Sequence, residues 1–201
     1  GNAIVVSSLE PRKIFCMIIK PAFITPVFEF NIYDKELNNL LREDAYHQKE
    51  INNGRQVSNQ GGFQSNHIYD SKAVSSFFKK VTPCVLQVKQ TINYDRNLTL
   101  EGLWYNINKK GDRNKIHCHG RSILGATYYI DTPLNCGAIS FESIDKHIIM
   151  NSEVEKYDNP YFNAFFNIEP RQGTLLIFYA WLNHLVEDNK SDNDRVSLAF
   201  N

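Results

Sequence analysis

The sequence predicts a mainly β protein with an N-terminal helical layer, and two observations carry that prediction. Past Asn97 the chain breaks into short segments of alternating apolar and polar residues separated by turn signals, the pattern of a sandwich or barrel and not of a parallel α/β sheet. Before Asn97, apolar residues recur over two stretches at helical spacing. Together they give a double-stranded β-helix, a jelly roll or cupin-like barrel, with helices packed on it. At 201 residues a single domain with a sizeable core is expected. Residues 1–20 would be an N-terminal extension or strand, 21–96 the helical support layer and 97–201 the jelly-roll core.

Taken in order, IFCMIIK within the first twenty residues reads as an early strand. PAFITPVFEFNIYD reads as a second, its two prolines favouring a strand start or an edge. Asp34 is placed to cap a helix running to about Lys49, with Leu37, Leu40, Leu41 and Ala45 on one side. The stretch from Ile51 to Asn66 is dominated by Asn, Gln, Gly and Ser. It reads equally as a solvated surface loop or as a substrate-facing one. From Asp70 to about Tyr94 the spacing is helical, and Pro83 predicts either two helices or one kinked helix. LTLEGLWYNIN alternates and turns at Lys109–Asp112. IHCHGRSILGATYYID is the next strand or pair of strands. GAISFES, FFNIEPRQGTLLIFYAW, LNHLVE and RVSLAF complete the set. Residues 143–165 interrupt the series, and Tyr157, Tyr161, Phe162 and Phe165 make that segment either a lid or plain padding.

Composition narrows the function classes only modestly. Lys plus Arg and Asp plus Glu each total 22, so charge gives no argument for nucleic acid or an anionic membrane as partner, and excludes neither. No apolar run approaches the 18 or so residues that span a bilayer. No basic n-region followed by an apolar core marks the start as a secretion signal. Four scattered cysteines without a CxxC pair read as reduced thiols, which points to the cytoplasm. Self-association as a homodimer stays open.

The chemistry concentrates in three places. His117 and His119 are two residues apart, so an extended backbone turns both to one face, with Cys118 turned away. His184 lies 67 residues further on, and Arg195 and Ser197 follow on one strand face. Iron(II) oxygenases hold their metal with a facial triad, two histidines and a carboxylate, leaving the other positions for cosubstrate and oxygen. Their common form is HxD/E, a distant His, then an Arg whose planar fork matches the 2-oxoglutarate tail carboxylate. An HxH pair alone is more often structural; the distant His and the RxS pair put the metal site ahead. His119 stands where the carboxylate is expected, which removes one negative charge from the site. It is read as the third ligand, or as a neighbour leaving water in its place. As an alternative, Asp112 and Glu142 are the nearest carboxylates in sequence to stand in. Asn108 and Tyr128 are assigned to the cosubstrate, while Asn106, Trp104 and Trp181 read as ordinary strand or core residues. His47, His67 and His147 have no partner pattern.

Three segments, WYNINKKGDRNKIHCHGRSILGATYYID, IEPRQGTLLIFYAWLNHLVEDN and DRVSLAFN, resemble a family of 2-oxoglutarate–Fe(II) oxygenases found in marine bacteria and phages. The loop SNQGGFQS is similar to that family's SNxGGWQS. The resemblance runs over about residues 22–201 and is densest in the last hundred. It implies the jelly-roll fold, Fe(II) as metal and 2-oxoglutarate as cosubstrate, with no substrate specified. The expected activity is hydroxylation of a protein side chain or a small metabolite. Two other readings stay open: a three-histidine cupin-type metalloenzyme that does not use 2-oxoglutarate, and a non-catalytic jelly roll used for binding or assembly.

Overall fold

The computed structural model describes residues 18, 20, 23–150 and 163–201. The early strand expected in IFCMIIK falls largely outside them. Strand β1 (Val27–Asn31) begins directly after Pro26 and lies at a sheet edge, where the missing proline N–H breaks no ladder. Helix α1 (Lys35–Ile51) starts where the Asp34 carboxylate accepts the Leu37 N–H at 3.1 Å. It buries Leu37, Leu41 and Ala45, one residue per turn, and leaves Leu40 exposed. Helix α2 (Lys72–Thr91) is capped by Ser71 and runs without a break through Pro83. The proline forfeits a single N–H bond, and buried Phe77, Val81, Cys84 and Val88 hold the helix on its bed on both sides of it.

Among the described residues, the strands form two antiparallel sheets. Strands β2 (Asn59–Gln60) and β3 (Phe63–Gln64) lie in the polar loop; β4 (Leu103–Asn108), β5 (Arg113–His117) and β6 (Leu124–Asp131) follow. Then come β7 (Ile139–Glu142), the short helix α3 (Lys146–Met150), β8 (Phe165–Ile168), β9 (Thr174–Tyr179), β10 (His184–Val186) and β11 (Arg195–Phe200). The six-stranded sheet has the order β1-β9-β6-β11-β4-β3, and the five-stranded sheet has β2-β5-β10-β7-β8. Consecutive strands alternate between sheets over much of the chain, which is the winding of a double-stranded β-helix.

Period-2 alternation sorts the six-stranded sheet into two faces. Leu103, Tyr105, Ile107, Tyr128, Ile130, Leu175, Ile177, Val196, Leu198 and Phe200 pack with the helices in the larger core. The other face meets the five-stranded sheet, where Tyr129, Leu176 and Phe178 join Ile139, Phe141 and Leu182 in a smaller core. Polar groups fix how the helices dock. Asn38 donates to the Ile130 carbonyl at 3.1 Å and accepts from the Tyr128 hydroxyl. Arg42 pairs with Asp131 through two nitrogens. Asp44 accepts from Ser71 at 2.6 Å and from Tyr105 at 2.8 Å.

The polar loop is ordered by backbone pairing. β2 pairs with β5 and β3 with β4, so the Gly61–Gly62 turn carries the chain from one sheet to the other. Both glycines have positive φ, 67° and 64°, a conformation that costs a glycine little. The 143–165 segment joins two adjacent strands: β7 pairs with β8, and Ser143 N donates to the Ala164 carbonyl at 2.9 Å. Tyr157, Tyr161 and Phe162 lie outside the described residues, and Phe165 opens β8.

Candidate metal and cosubstrate site

The strand ladder brings the two distant histidines together. His117 closes β5, His184 opens β10, and the two stand directly opposite in the pairing register. Their rings lie 4.3 Å apart between centroids, the closeness expected of a cross-strand pair. His119 lies two residues past β5, its backbone N–H held by the Ala180 carbonyl at 2.7 Å. Its ring is 5.3 Å from that of His117 and 5.0 Å from that of His184. One nitrogen from each ring lies within 4.8 Å of the other two. Cys118, between the two histidines, is exposed.

Hydrogen bonds set the tautomers. His117 Nδ1 lies 2.7 Å from the Lys115 carbonyl, and His184 Nδ1 lies 2.9 Å from the Leu182 carbonyl. A carbonyl only accepts, so each Nδ1 carries the proton and each Nε2 keeps a lone pair. His119 Nδ1 meets the side-chain Oδ1 of Asn201 at 2.5 Å, with the same result. Burial pushes all three imidazoles below the ordinary histidine range. His184, only 4% exposed, is pushed to about 3, with the neighbouring His117 and His119 adding to the effect. The cluster is therefore neutral at pH 7, the state in which imidazole binds metals.

The histidines share a cavity of about 770 Å³ with Arg195, Ser197, Asn106 and Asn108, a volume within the range of small-molecule sites. Arg195 is 2% exposed. Its Nη1 donates to the carbonyls of Cys136 at 2.5 Å, Gly137 at 3.1 Å and Glu187 at 3.4 Å. Its Nη2 is buried with no partner. Glycine is required at 137: φ is 84°, and a Cβ would stand 2.6 Å from the Glu187 carbonyl oxygen. Burial pulls the guanidinium below its ordinary range, yet an arginine stays charged in proteins. A buried cation with one side unsatisfied and no ion-pair partner among the described residues is complementary to an incoming carboxylate.

Two expectations are corrected. Tyr128 does not reach the cavity: it faces the helices, its hydroxyl bonded to Asn38 and its ring 5.2 Å from Phe77. The neighbouring Tyr129 has the cavity-facing parity. It stands opposite Ser197 in the ladder and lines the cavity; burial raises its hydroxyl, so it is a neutral donor. Neither carboxylate proposed from the sequence joins the histidines. Asp112 accepts the Lys109 N–H at 2.7 Å, and Glu142 holds Lys146 at 2.5 Å and Asn183 at 2.9 Å. Among the described residues the three histidines form the one cluster of potential metal donors. Trp104 and His67 also line the cavity, as do Arg55, Val57, Ser58 and Gln64 from the polar loop. No described residue of the 143–165 segment lines it.

A jelly roll with a histidine cluster and a buried arginine in one cavity defines the class, and comparison with known proteins defines the family. Residues 102–201 match the family described as "Putative 2OG-Fe(II) oxygenase". Over these residues the chain belongs to that family, and the protein is a 2-oxoglutarate- and iron(II)-dependent oxygenase. No curated protein matches the sequence. Among solved structures it is similar to a prolyl-4-hydroxylase from Pseudomonas putida at 14% identity, covering 88% of this chain and 91% of that one, with a TM-score of 0.64. A viral collagen prolyl hydroxylase from Paramecium Bursaria Chlorella virus-1, in complex with 2-oxoglutarate, matches at 13% identity over 87% and 93%, TM-score 0.58. HygX from Streptomyces hygroscopicus, with nickel and 2-oxoglutarate bound, matches at 11% identity over 88% and 82%, TM-score 0.62. At these identities the likeness shows the fold. No helix among the described residues is long and apolar enough to cross a membrane.

Proposed function

We propose that His117, His119 and His184 hold the iron(II) through their Nε2 atoms. In this assignment Arg195, with Ser197, Tyr129 and Asn108, holds the tail carboxylate of 2-oxoglutarate. The observation that carries the assignment is the buried Arg195 Nη2, which has no partner, in the same cavity as three imidazoles whose Nδ1 atoms are already engaged. The residues fit the metal. Three neutral imidazoles are good donors for Fe(II), and second partners on Nδ1 fix their orientation. When bound, iron(II) with 2-oxoglutarate would supply oxygen activation: one atom of O2 would enter the succinate formed as the 2-oxo acid loses carbon dioxide, and the other would be inserted into a substrate C–H bond.

The chain's own residues provide orientation and charge. The carbonyl cradle aims Arg195 before the cosubstrate arrives, so little reorganisation is needed on binding. Tyr129, kept neutral by burial, would donate a hydrogen bond to the cosubstrate beside the guanidinium. Three neutral ligands supply no negative charge, so the cosubstrate would bring one negative charge to the metal end and one to Arg195. The substrate is a protein side chain or a small metabolite entering past the rim formed by Arg55, Lys115 and Arg121. Free Cys84, Cys118 and Cys136 and an oxidisable metal suit a reducing compartment, and we place the protein in the cytoplasm.

The test is anaerobic. Fe(II) followed by 2-oxoglutarate should give a metal-to-ligand charge-transfer band, absent in His184→Ala and reached in Arg195→Ala only at roughly 10–150-fold higher 2-oxoglutarate. Admitting oxygen should then release succinate. Iron binding that survives His184→Ala, or a band that Arg195→Ala forms at the 2-oxoglutarate concentration sufficient for the native protein, would overturn the assignment.

A further inference from the structure

His117 and His184 take their orienting partners from backbone carbonyls, whereas His119 takes its partner from a side chain, Asn201 Oδ1 at 2.5 Å. The backbone of Asn201 is held independently of that contact. Its N–H donates to the Gly102 carbonyl at 2.9 Å, and its carbonyl accepts the Glu101 N–H at 3.0 Å. The side chain is thus aimed at the imidazole from a fixed base.

A second feature points to the same ring. Gly125 lies in β6 opposite Phe178, and no left-handed φ calls for glycine there. A Cβ at 125 would stand 3.1 Å from His119 Nδ1 and 3.1 Å from Phe178 Cε2. Space for the His119 and Phe178 rings is therefore what the absent side chain provides. Trp104 closes another side, its ring 5.8 Å from His119.

We propose that Asn201 and Gly125 form a seat that makes His119 the third ligand at the position where a carboxylate is expected. Asn201 is a positioning residue: its Oδ1 keeps the proton on Nδ1 and leaves Nε2 for the metal. This inference rests on the three-histidine assignment. It carries a specific consequence for charge. A neutral amide leaves the imidazole neutral, whereas aspartate at 201 would return a negative charge to the site through the same hydrogen bond and strengthen the ligand.

The experiment uses the full chain with cobalt(II) as probe, reading affinity by calorimetry and coordination by the visible d–d spectrum. The Fe(II)–2-oxoglutarate charge-transfer band is read in parallel. Asn201→Ala should weaken cobalt binding by roughly 10–100-fold, the usual cost of losing an orienting partner, and Gly125→Ala should weaken it by crowding the His119 ring. Asn201→Asp should restore or exceed native affinity and move the charge-transfer band to longer wavelength, an electronic effect that a purely structural role for residue 201 would not produce. Native affinity and spectrum in Asn201→Ala, with binding lost in His184→Ala, would overturn the seat and leave the three-histidine assignment standing. Native affinity in His119→Ala would overturn both. If Asn201→Ala does not fold, Asn201→Asp decides alone: unchanged affinity together with an unchanged band overturns the proposal.

Discussion

The two faces of the six-stranded sheet are made by the same strands and differ in almost every physical respect. In β4, Leu103, Tyr105 and Ile107 face the helices while Trp104, Asn106 and Asn108 face the cavity. In β11 the split is Val196, Leu198 and Phe200 against Arg195, Ser197 and Ala199. On the helix side Phe77 meets Tyr128 at 5.2 Å and Phe200 at 5.9 Å, and the buried polar groups are paired. On the cavity side a buried guanidinium nitrogen has no partner. The helix face is closed by the larger core; the other face shares the smaller core with the five-stranded sheet and keeps binding capacity unspent, at some cost in stability.

That contrast is sharpest in a substitution on the helix side. Phe77→Ala should lose about 3–5 kcal/mol of stability by urea unfolding, while the affinity of the folded protein for 2-oxoglutarate stays native. A loss of affinity would mean that the faces are not independent. On the other side, Arg195→Met should weaken 2-oxoglutarate binding by about 1.5–3 kcal/mol, roughly 10–150-fold. Its melting midpoint should move less than half as far as that of Phe77→Ala, because losing a desolvated cation offsets the bonds it made.

The paired tyrosines test the boundary between the faces residue by residue. Tyr129→Phe should weaken 2-oxoglutarate binding by about 0.5–1.5 kcal/mol with little change in unfolding. Tyr128→Phe should do the reverse, lowering stability by leaving Asn38 Oδ1 without its donor. Equal effects from both would contradict the parity assignment.

The smallest effect is on pH. His184 titrates at about 3 in the folded protein against an ordinary value of 6.5. Between those values the unfolded chain binds a proton that the folded chain does not, so stability falls as pH falls. For the metal-free protein this one group should contribute a loss of about half to one kcal/mol from pH 7 to pH 6. His184→Gln should flatten the slope measured in urea titrations at the two pH values.

Most of this division can be read in the sequence wherever a strand is polar on one side. The spacing of Arg195 and Ser197, and of Asn106 and Asn108, already places each pair on one face, and His117 with His119 follows the same rule. Alternation fails for Tyr128 and Tyr129, which lie in a strand buried on both sides; the choice between them needs the register against β11. The polar loop fails for a different reason. Its order comes from backbone pairing of Asn59–Gln60 and Phe63–Gln64 with β5 and β4, to which side-chain composition is blind. Pro83 left two helices or one kinked helix open, and the packing of α2 selects a single helix through it. The contact of Asn201 with His119 spans 82 positions and leaves no local pattern at either end.

The three carbonyls around Arg195 Nη1 have a consequence for which 2-oxo acid the enzyme accepts. With Nη1 held by three carbonyls and the histidines held by their own partners, neither anchor freely follows a shorter or a longer diacid. With 2-oxoglutarate bound as proposed, the two anchors act as a ruler for carbon-chain length. Oxaloacetate, one carbon shorter, and 2-oxoadipate, one longer, each leave one anchor unfilled, so discrimination among cosubstrates is a property of the rigid frame.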